Sequence, residues 1–163
     1  YRLKEKLPSN ISEFTVPLGV PEVIRVGEDI TIVTYGSCCR VAEEAAEKAA
    51  AVGISVEIVD VQTLLPFDIN HLTVESVKKT NRVIFLDEDV PGGASAFMLQ
   101  KVLEEQNAMQ HLDSLPKTIT SKENRGSYAS DGNYFCKPNA EDVFEAVYAI
   151  MRESDPMSFP EIL

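Results

Sequence analysis

The sequence is poor in the features that would tie a protein to metals, membranes or the outside of a cell. It has three cysteines, Cys38, Cys39 and Cys136, an odd number with two of them adjacent. Neighbouring cysteines rarely bridge each other, so this is not the framework of a disulfide-stapled secreted domain. No CxxC pair occurs, and the two histidines, His71 and His111, lie far apart. A zinc site would have to be assembled from scattered ligands. No stretch approaches the ~18 to 20 apolar residues of a membrane span. There is no basic, then apolar, then small-residue opening of the kind that marks a signal peptide. Internal repeats, low-complexity tracts, a Walker loop and a glycine-rich nucleotide fingerprint are also missing. Basic residues are scarce: 15 Lys and Arg against 26 Asp and Glu give a formal net charge of −11. That balance disfavours nucleic acid, whose phosphates need Lys and Arg to displace counterions, and it disfavours an anionic membrane surface. It favours solubility and suits a basic protein partner. The cytoplasm is the default location. Tyr1 rather than Met opens the sequence, which points to a piece of a longer polypeptide.

What remains is an ordinary globular composition, 44% hydrophobic and 25% charged. At 163 residues the chain fits one domain that buries roughly two thirds of its unfolded surface. Residues 1–21 read as a connecting arm, polar at first and then interrupted by Pro17 and Pro21. Residues 22–153 read as the domain and 154–163 as a tail. Residues 22–26 and 30–35 are strands around a turn at Gly27, which suggests an antiparallel hairpin. From 30 onward, apolar β-branched strands (30–35, 55–61, 82–86, 117–120) alternate with helices (37–52, 70–80, 94–107, 139–153). Strands without strict polar alternation are buried on both faces. Ser37 is placed to cap the first helix and Gly53 to end it, and Asn139 with Asp142 resembles a capping box. The polar stretch 121–137 reads as a surface excursion. The alternation implies an α/β fold: a Rossmann-like three-layer α/β/α sandwich of about five strands, mostly parallel with one antiparallel edge strand.

Ligands of open α/β sheets bind beyond the carboxyl ends of the strands. Three features stand there: Gly36-Ser37, the loop from Gln62 to Asp68, and the loop from Asp87 to Gly93. Gly36 and Ser37 precede a helix N-terminus that could hold an anion, but without further glycines they read first as a plain tight turn. Asp87, Glu88 and Asp89 could form a metal or acid–base cluster, or a solvated acidic rim that faces a basic partner. Gly92 and Gly93 could admit a phosphate, or only let a helix pack closely on the sheet. Cys38 and Cys39 lie where a thiolate is favoured, yet they have no base beside them and suit packing. Tyr128, Tyr134 and Phe135 could anchor a protein contact. No catalytic, cofactor-binding or metal-binding set is self-sufficient.

The order of phrases resembles a known family. Phe14-Thr15-Val16-Pro17-Leu18-Gly19 is followed by a strand ending Thr34-Tyr35-Gly36-Ser37. Then come Asp60-Val61-Gln62-Thr63-Leu64-Leu65-Pro66-Phe67-Asp68, the run from Ser76 to Thr80 with Arg82 and Glu88, and the pair Gly92-Gly93. Together they resemble the transketolase C-terminal-like domain at the end of the beta subunit, or fused chain, of 2-oxo-acid dehydrogenase first components. Gln62 stands where that family has arginine, and the stretch 121–137 lacks the family's proline-rich phrase.

The resemblance implies that thiamine diphosphate and Mg²⁺ bind in other domains of the parent enzyme; the fragment has no G-D-G…N cofactor phrase. The cofactor would decarboxylate pyruvate or a branched-chain 2-oxo acid, or cleave acetoin, and pass the acyl unit to lipoate. This domain would contact other domains and subunits of its own enzyme, including a second copy in a homodimer. It would also dock the small basic subunit-binding domain of a dihydrolipoyl acyltransferase. Leu112-Asp113-Ser114-Leu115-Pro116 is one residue longer than the family's L-D-A-P phrase, and the resemblance assigns the docking aspartate to Asp113. Two other readings stand beside this one. One is the same domain in a transketolase-like or deoxyxylulose-phosphate-synthase-like enzyme. The other is a stand-alone small-molecule-binding regulatory module.

Overall fold

A computed structural model of the chain describes residues 6–128 and 131–161. Its strands are β1 (Glu22–Arg25), β2 (Ile30–Thr34), β3 (Val56–Asp60), β4 (Val83–Leu86) and β5 (Lys117–Ile119). Its helices are α1 (Cys38–Ala51), α2 (Leu72–Thr80), α3 (Ala94–Leu99), α4 (Gly132–Cys136) and α5 (Ala140–Ser154). A π-helical stretch, Gln100–Glu105, continues α3, and a 3₁₀ turn spans Ala108–His111. The five strands form one sheet in the order β1-β3-β2-β4-β5. All neighbours are parallel except β1, which runs antiparallel to β3 at the edge. This is the α/β fold that the strand–helix alternation implies.

The hairpin expected between β1 and β2 does not form. β2 pairs with β3 on one side and β4 on the other, so no edge is left for β1. The chain instead leaves β1, crosses the start of β3 and enters β2 beyond it. Glu28 and Asp29 donate their N–H groups to the Ser55 carbonyl at 3.2 and 2.9 Å, and the Asp29 carboxylate takes the Ser55 N–H at 2.7 Å. The crossing requires Gly27, because a Cβ there would lie 2.2 Å from the Glu57 nitrogen and the Val56 carbonyl carbon.

Alternation along the strands divides the core into two layers. Ile30, Ile32, Ile58 and Ile84 face α1 and α5, while Val33, Val59, Val83 and Phe85 face α2 and the α3 segment. Ala42, Ala45, Ala46 and Ala49 of α1 are fully buried, and their small side chains let α1 pack closely on the sheet and α5. Gly53 ends α1 as expected, at φ +83, with Gly53 N–H on Ala50 O and Ile54 N–H on Ala49 O. This left-handed ending suits glycine. Asn139 and Asp142 exchange both bonds of the capping box. Ser37, by contrast, makes no side-chain cap; its hydroxyl goes to Glu88.

Two acids that the sequence pattern leaves unassigned are structural. Buried Asp68 caps α2 from four residues upstream, taking Leu72 N–H at 2.8 Å and Thr73 N–H at 2.9 Å. Buried Glu57 is paired with Lys79 and takes the Gly27 N–H at 3.2 Å. The stretch 121–137 is not all irregular, since it contains α4 and buries Cys136.

Replacing Gly27 with alanine should therefore force β1 off the start of β3. We expect Gly27→Ala to lower stability by about 3 kcal/mol, a core-overpacking cost. Urea denaturation followed by circular dichroism measures this, and a loss under about 0.5 kcal/mol would mean that the crossing yields easily.

Candidate functional site

The parallel strands bring their C-terminal ends to one edge of the sheet. α1 leaves β2 toward one face and α3 leaves β4 toward the other, so the strand-order reversal lies between β2 and β4. That is where such sheets open a ligand crevice. Tyr35, Gly36 and Ser37 approach it from β2, and Asp87, Glu88 and Asp89 from β4.

The chain's own side chains fill this crevice. Asp87 is buried and fully engaged: its Oδ1 accepts from the Tyr35 hydroxyl at 2.9 Å and Asp89 N–H at 3.2 Å, and its Oδ2 accepts Ser95 N–H at 3.1 Å. A carboxylate thus occupies the start of α3, where an anionic ligand would otherwise bind. Burial, and then the bond to Asp87, push the Tyr35 hydroxyl well above the usual tyrosine range. Asp89 takes Val90 N–H at 2.8 Å. Its Oδ2 lies 2.9 Å from where a Gly93 Cβ would sit, so Gly93 makes room for Asp89. Gly36 and Gly92 adopt positive φ, and a Cβ at either would meet nothing within 4 Å; both are turn glycines.

Glu88 accepts Lys137 Nζ at 2.8 Å. The Lys137 bond holds the Glu88 carboxyl below the usual range, against the opposing effect of its partial burial, and the Ser37 hydroxyl adds to the lowering. Beside this pair lies a cleft of ≈ 470 Å³ lined by Ser37, Cys38, Glu88, Tyr134, Lys137 and Asn139, among others. The three acids thus point to three separate donor sets and do not converge. Among the described residues, no group of three or more His, Cys, Asp and Glu is placed to hold a metal ion. A diphosphate would find its donors engaged, Ser95 N–H on Asp87 and Lys137 on Glu88. The residues present do not fit a diphosphate–metal cofactor, and no chemical step is derived through one.

The cysteines divide likewise. Burial raises the Cys38 thiol to about 11 and the Cys39 thiol to about 12, with Glu88 and Asp60 adding to the respective rises. The helix N-terminus makes neither a thiolate, and Cys38 belongs to the core. Cys136, which the sequence pattern does not single out, accepts the Ser127 N–H at 3.3 Å and is hydrogen-bonded to the Ser127 hydroxyl at 3.3 Å. The Ser127 hydroxyl bond lowers its thiol below the ordinary range.

Asp113 lies elsewhere. Its carboxylate meets Arg82, just before β4, at 2.7 Å, whereas Asp87 follows β4. The four residues of β4 separate the two by roughly 13 Å along the strand. Asp113 therefore shares no face with 87–89. The Tyr35–Asp87, Lys137–Glu88 and Arg82–Asp113 pairs join residues 31 to 52 positions apart, a distance that local patterns do not report.

A model of the transketolase C-terminal domain family matches residues 19–143. The chain is 33% identical over 141 residues to the pyruvate dehydrogenase E1 component subunit beta of Rhizobium meliloti (strain 1021), a match covering 86% of this chain and 30% of that protein. It is 35% identical over 106 residues to the 2-oxoisovalerate dehydrogenase subunit beta of Bacillus subtilis (strain 168), covering 64% and 32%. The inactive beta4 tetramer of a split gene transketolase aligns with a TM-score of 0.68 at 28% identity, over 89% of this chain and 46% of that one. The chain spans about a third of the two curated relatives.

At pH 8 a thiol with a pKa of about 11 is ionised in roughly one molecule in a thousand. Iodoacetamide should therefore modify Cys38 and Cys39 at least about tenfold more slowly in the folded chain than in the same chain unfolded in urea. Peptide mass spectrometry over a time course reads this directly, and equal rates in the folded and the unfolded chain would contradict the packing described.

Proposed function

The chain belongs to the transketolase C-terminal domain family, and on that premise we propose that it is the assembly and partner-docking domain of a thiamine-diphosphate-dependent 2-oxo-acid dehydrogenase. In this reading it forms the end of the beta part. Other domains hold thiamine diphosphate and Mg²⁺, decarboxylate the 2-oxo acid and transfer the acyl unit to lipoate. Both beta-subunit relatives extend well beyond the region shared with this chain, which leaves room for those domains.

The observation that carries the reading is an exposed apolar surface on a closely bonded base. Leu18, Leu65 and Ile69 are exposed around a tightly bonded junction. Gly19 N–H donates to Thr63 Oγ1 at 2.6 Å, and Ile69 N–H donates to the Gly19 carbonyl at 2.9 Å. A Gly19 Cβ would sit 2.9 Å from Pro66, so the arm and the loop 62–68 pack as one unit. Phe14 and Val16 continue the exposed apolar row along the arm. Large apolar side chains held out by an ordered backbone mark contact surfaces. Other domains of the same enzyme, or a second copy of the chain, would cover them.

The likeness to a split gene transketolase supports a second reading, in which the same domain serves a transketolase-like enzyme. The two differ in the docking partner. Calorimetric titration with the isolated subunit-binding domain of a dihydrolipoyl acyltransferase separates them. We expect binding that weakens several-fold between about 50 and about 300 mM salt, because the chain is acidic and the partner basic. A folded chain that shows no binding at either salt would refute the docking role and favour the transketolase-like reading.

A further inference from the structure

The tail does not run on past α5 but turns back over it. Asp155, just after the helix, makes the turn. Its Oδ1 accepts the Met157 and Ser158 N–H groups at 3.2 and 3.0 Å, and its carbonyl accepts the Phe159 N–H at 3.0 Å. The turn sets Phe159 roughly perpendicular to Tyr148, with ring centroids 6.0 Å apart, and Tyr148 leans in turn on Phe144 at 5.9 Å. The Tyr148 hydroxyl donates to the Pro160 carbonyl at 2.7 Å, and Arg152 Nη2 meets Glu161 Oε2 at 3.3 Å. Along α5, Phe144, Tyr148 and Arg152 stand at successive four-residue intervals and so share one stripe. Exposed Glu145 and Ala149 lie beside it. Together with Glu161 these residues line a groove of ≈ 480 Å³.

We propose that the tail from Asp155 to Glu161 is a latch that blocks one mode of self-association. Closed, it stands in for a second copy of α5. Open, it lets the α5 helices of two copies pair antiparallel about a two-fold axis between Tyr148 and Ala149. Such pairing sets position 152 of each copy opposite position 145 of the other, and position 148 opposite position 149. Arg152 then meets Glu145 of the second copy, and Tyr148 lies over its small Ala149. The contact is isologous, each copy giving and receiving the same pairs. The tail offers the same chemistry from within the chain: the Glu161 carboxylate for Arg152, and the Phe159 ring for Tyr148.

The latch is built to open without unfolding. Of residues 155–161 only Phe159 is half-buried and the rest are exposed. Phe159 joins the first core layer beside Phe144 and Tyr148, so one ring anchors the whole segment. The Arg152–Glu161 pair is exposed on both sides and adds little. So few buried contacts make the opening a local event, well below the free energy of global unfolding. Proximity keeps the latch closed, because a tether this short gives the tail an effective concentration in the ~mM range. The chain's net charge of −11 acts in the same direction, since two copies repel. Moderate salt screens that long-range repulsion more than the close Arg152–Glu145 contact.

Sedimentation equilibrium on the whole chain at about 150 mM salt tests this, with thermal melting to verify folding. Phe159→Ser should tighten self-association at least about tenfold relative to the wild-type chain, because the competing tail is released. Adding Arg152→Glu should remove that gain, since positions 152 and 145 of facing copies then repel. Adding Glu145→Arg as well should restore it, which a general loss of packing would not do. Wild-type association by a folded Phe159→Ser chain overturns the latch. A gain that survives Arg152→Glu, or that the charge swap leaves unrestored, overturns the α5 pairing. Should Phe159→Ser fail to fold, hydrogen exchange on the wild-type chain decides. The Phe159 amide should exchange at least about a hundredfold faster than those of buried Val147 and Met151, and equal protection overturns a latch that opens locally.

Discussion

Strand β2 is buried at every residue and paired along both edges, and most of the architecture follows from that. A strand in the middle of a parallel sheet needs apolar side chains on both faces, which its β-branched sequence supplies. With β3 and β4 alongside, β1 can join only beyond β3. The chain must then cross the start of β3, where only glycine fits at position 27. The same central position sends α1 to one face and α2 and α3 to the other, opening the strand ends between Tyr35 and Asp87. One buried strand thus fixes the strand order, the glycine crossing and the place where a ligand crevice would lie.

The chemistry at that place is governed by how an acidic chain buries carboxylates. A buried carboxylate without donors is very unfavourable, so each one here has its own set. Glu57 has Lys79 and the Gly27 N–H. Asp68 has two N–H groups at the start of α2. Asp87 has the Tyr35 hydroxyl and two backbone N–H groups. Two of the three sit at helix starts, where exposed N–H groups and the dipole favour negative charge. These positions would suit a phosphate, and the chain has filled them itself. Acidic residues in a ligand crevice can therefore be architectural, and a fold that often binds nucleotides can keep its frame without keeping the site.

Much of this was readable from the sequence, and the omissions have a common cause. The parallel strands and the main helices followed from apolar runs and helical spacing, and Gly53 and the Asn139–Asp142 box from local backbone chemistry. Each of these signals is contained within a few residues. The partner of β1 depended on which edges remained free after β2 was paired, which no local pattern records. Ser37 has the composition of a cap, but Glu88 offered its hydroxyl a carboxylate, and that pair spans fifty-one positions. α4 was obscured by the polar composition of 121–137. At the candidate site the residues themselves were legible as a set of strand-end loops. What was not legible was that the three acids of 87–89 point to different donors, or that Asp113 sits at the other end of β4.

That separation matters for the proposed function. The apolar surface of Leu18, Leu65 and Ile69 belongs to the arm and to the loop that follows β3, on the same edge as the crevice. The Arg82–Asp113 pair belongs to the edge where the strands begin. Strands of four or five residues hold the two edges roughly 13 to 17 Å apart, with the buried sheet between them. In the proposed reading, with docking at Asp113, a small domain bound there would not compete with subunits packed on Leu65. Assembly and docking could then be satisfied together, without movement of the sheet and without either contact sharing residues with the other.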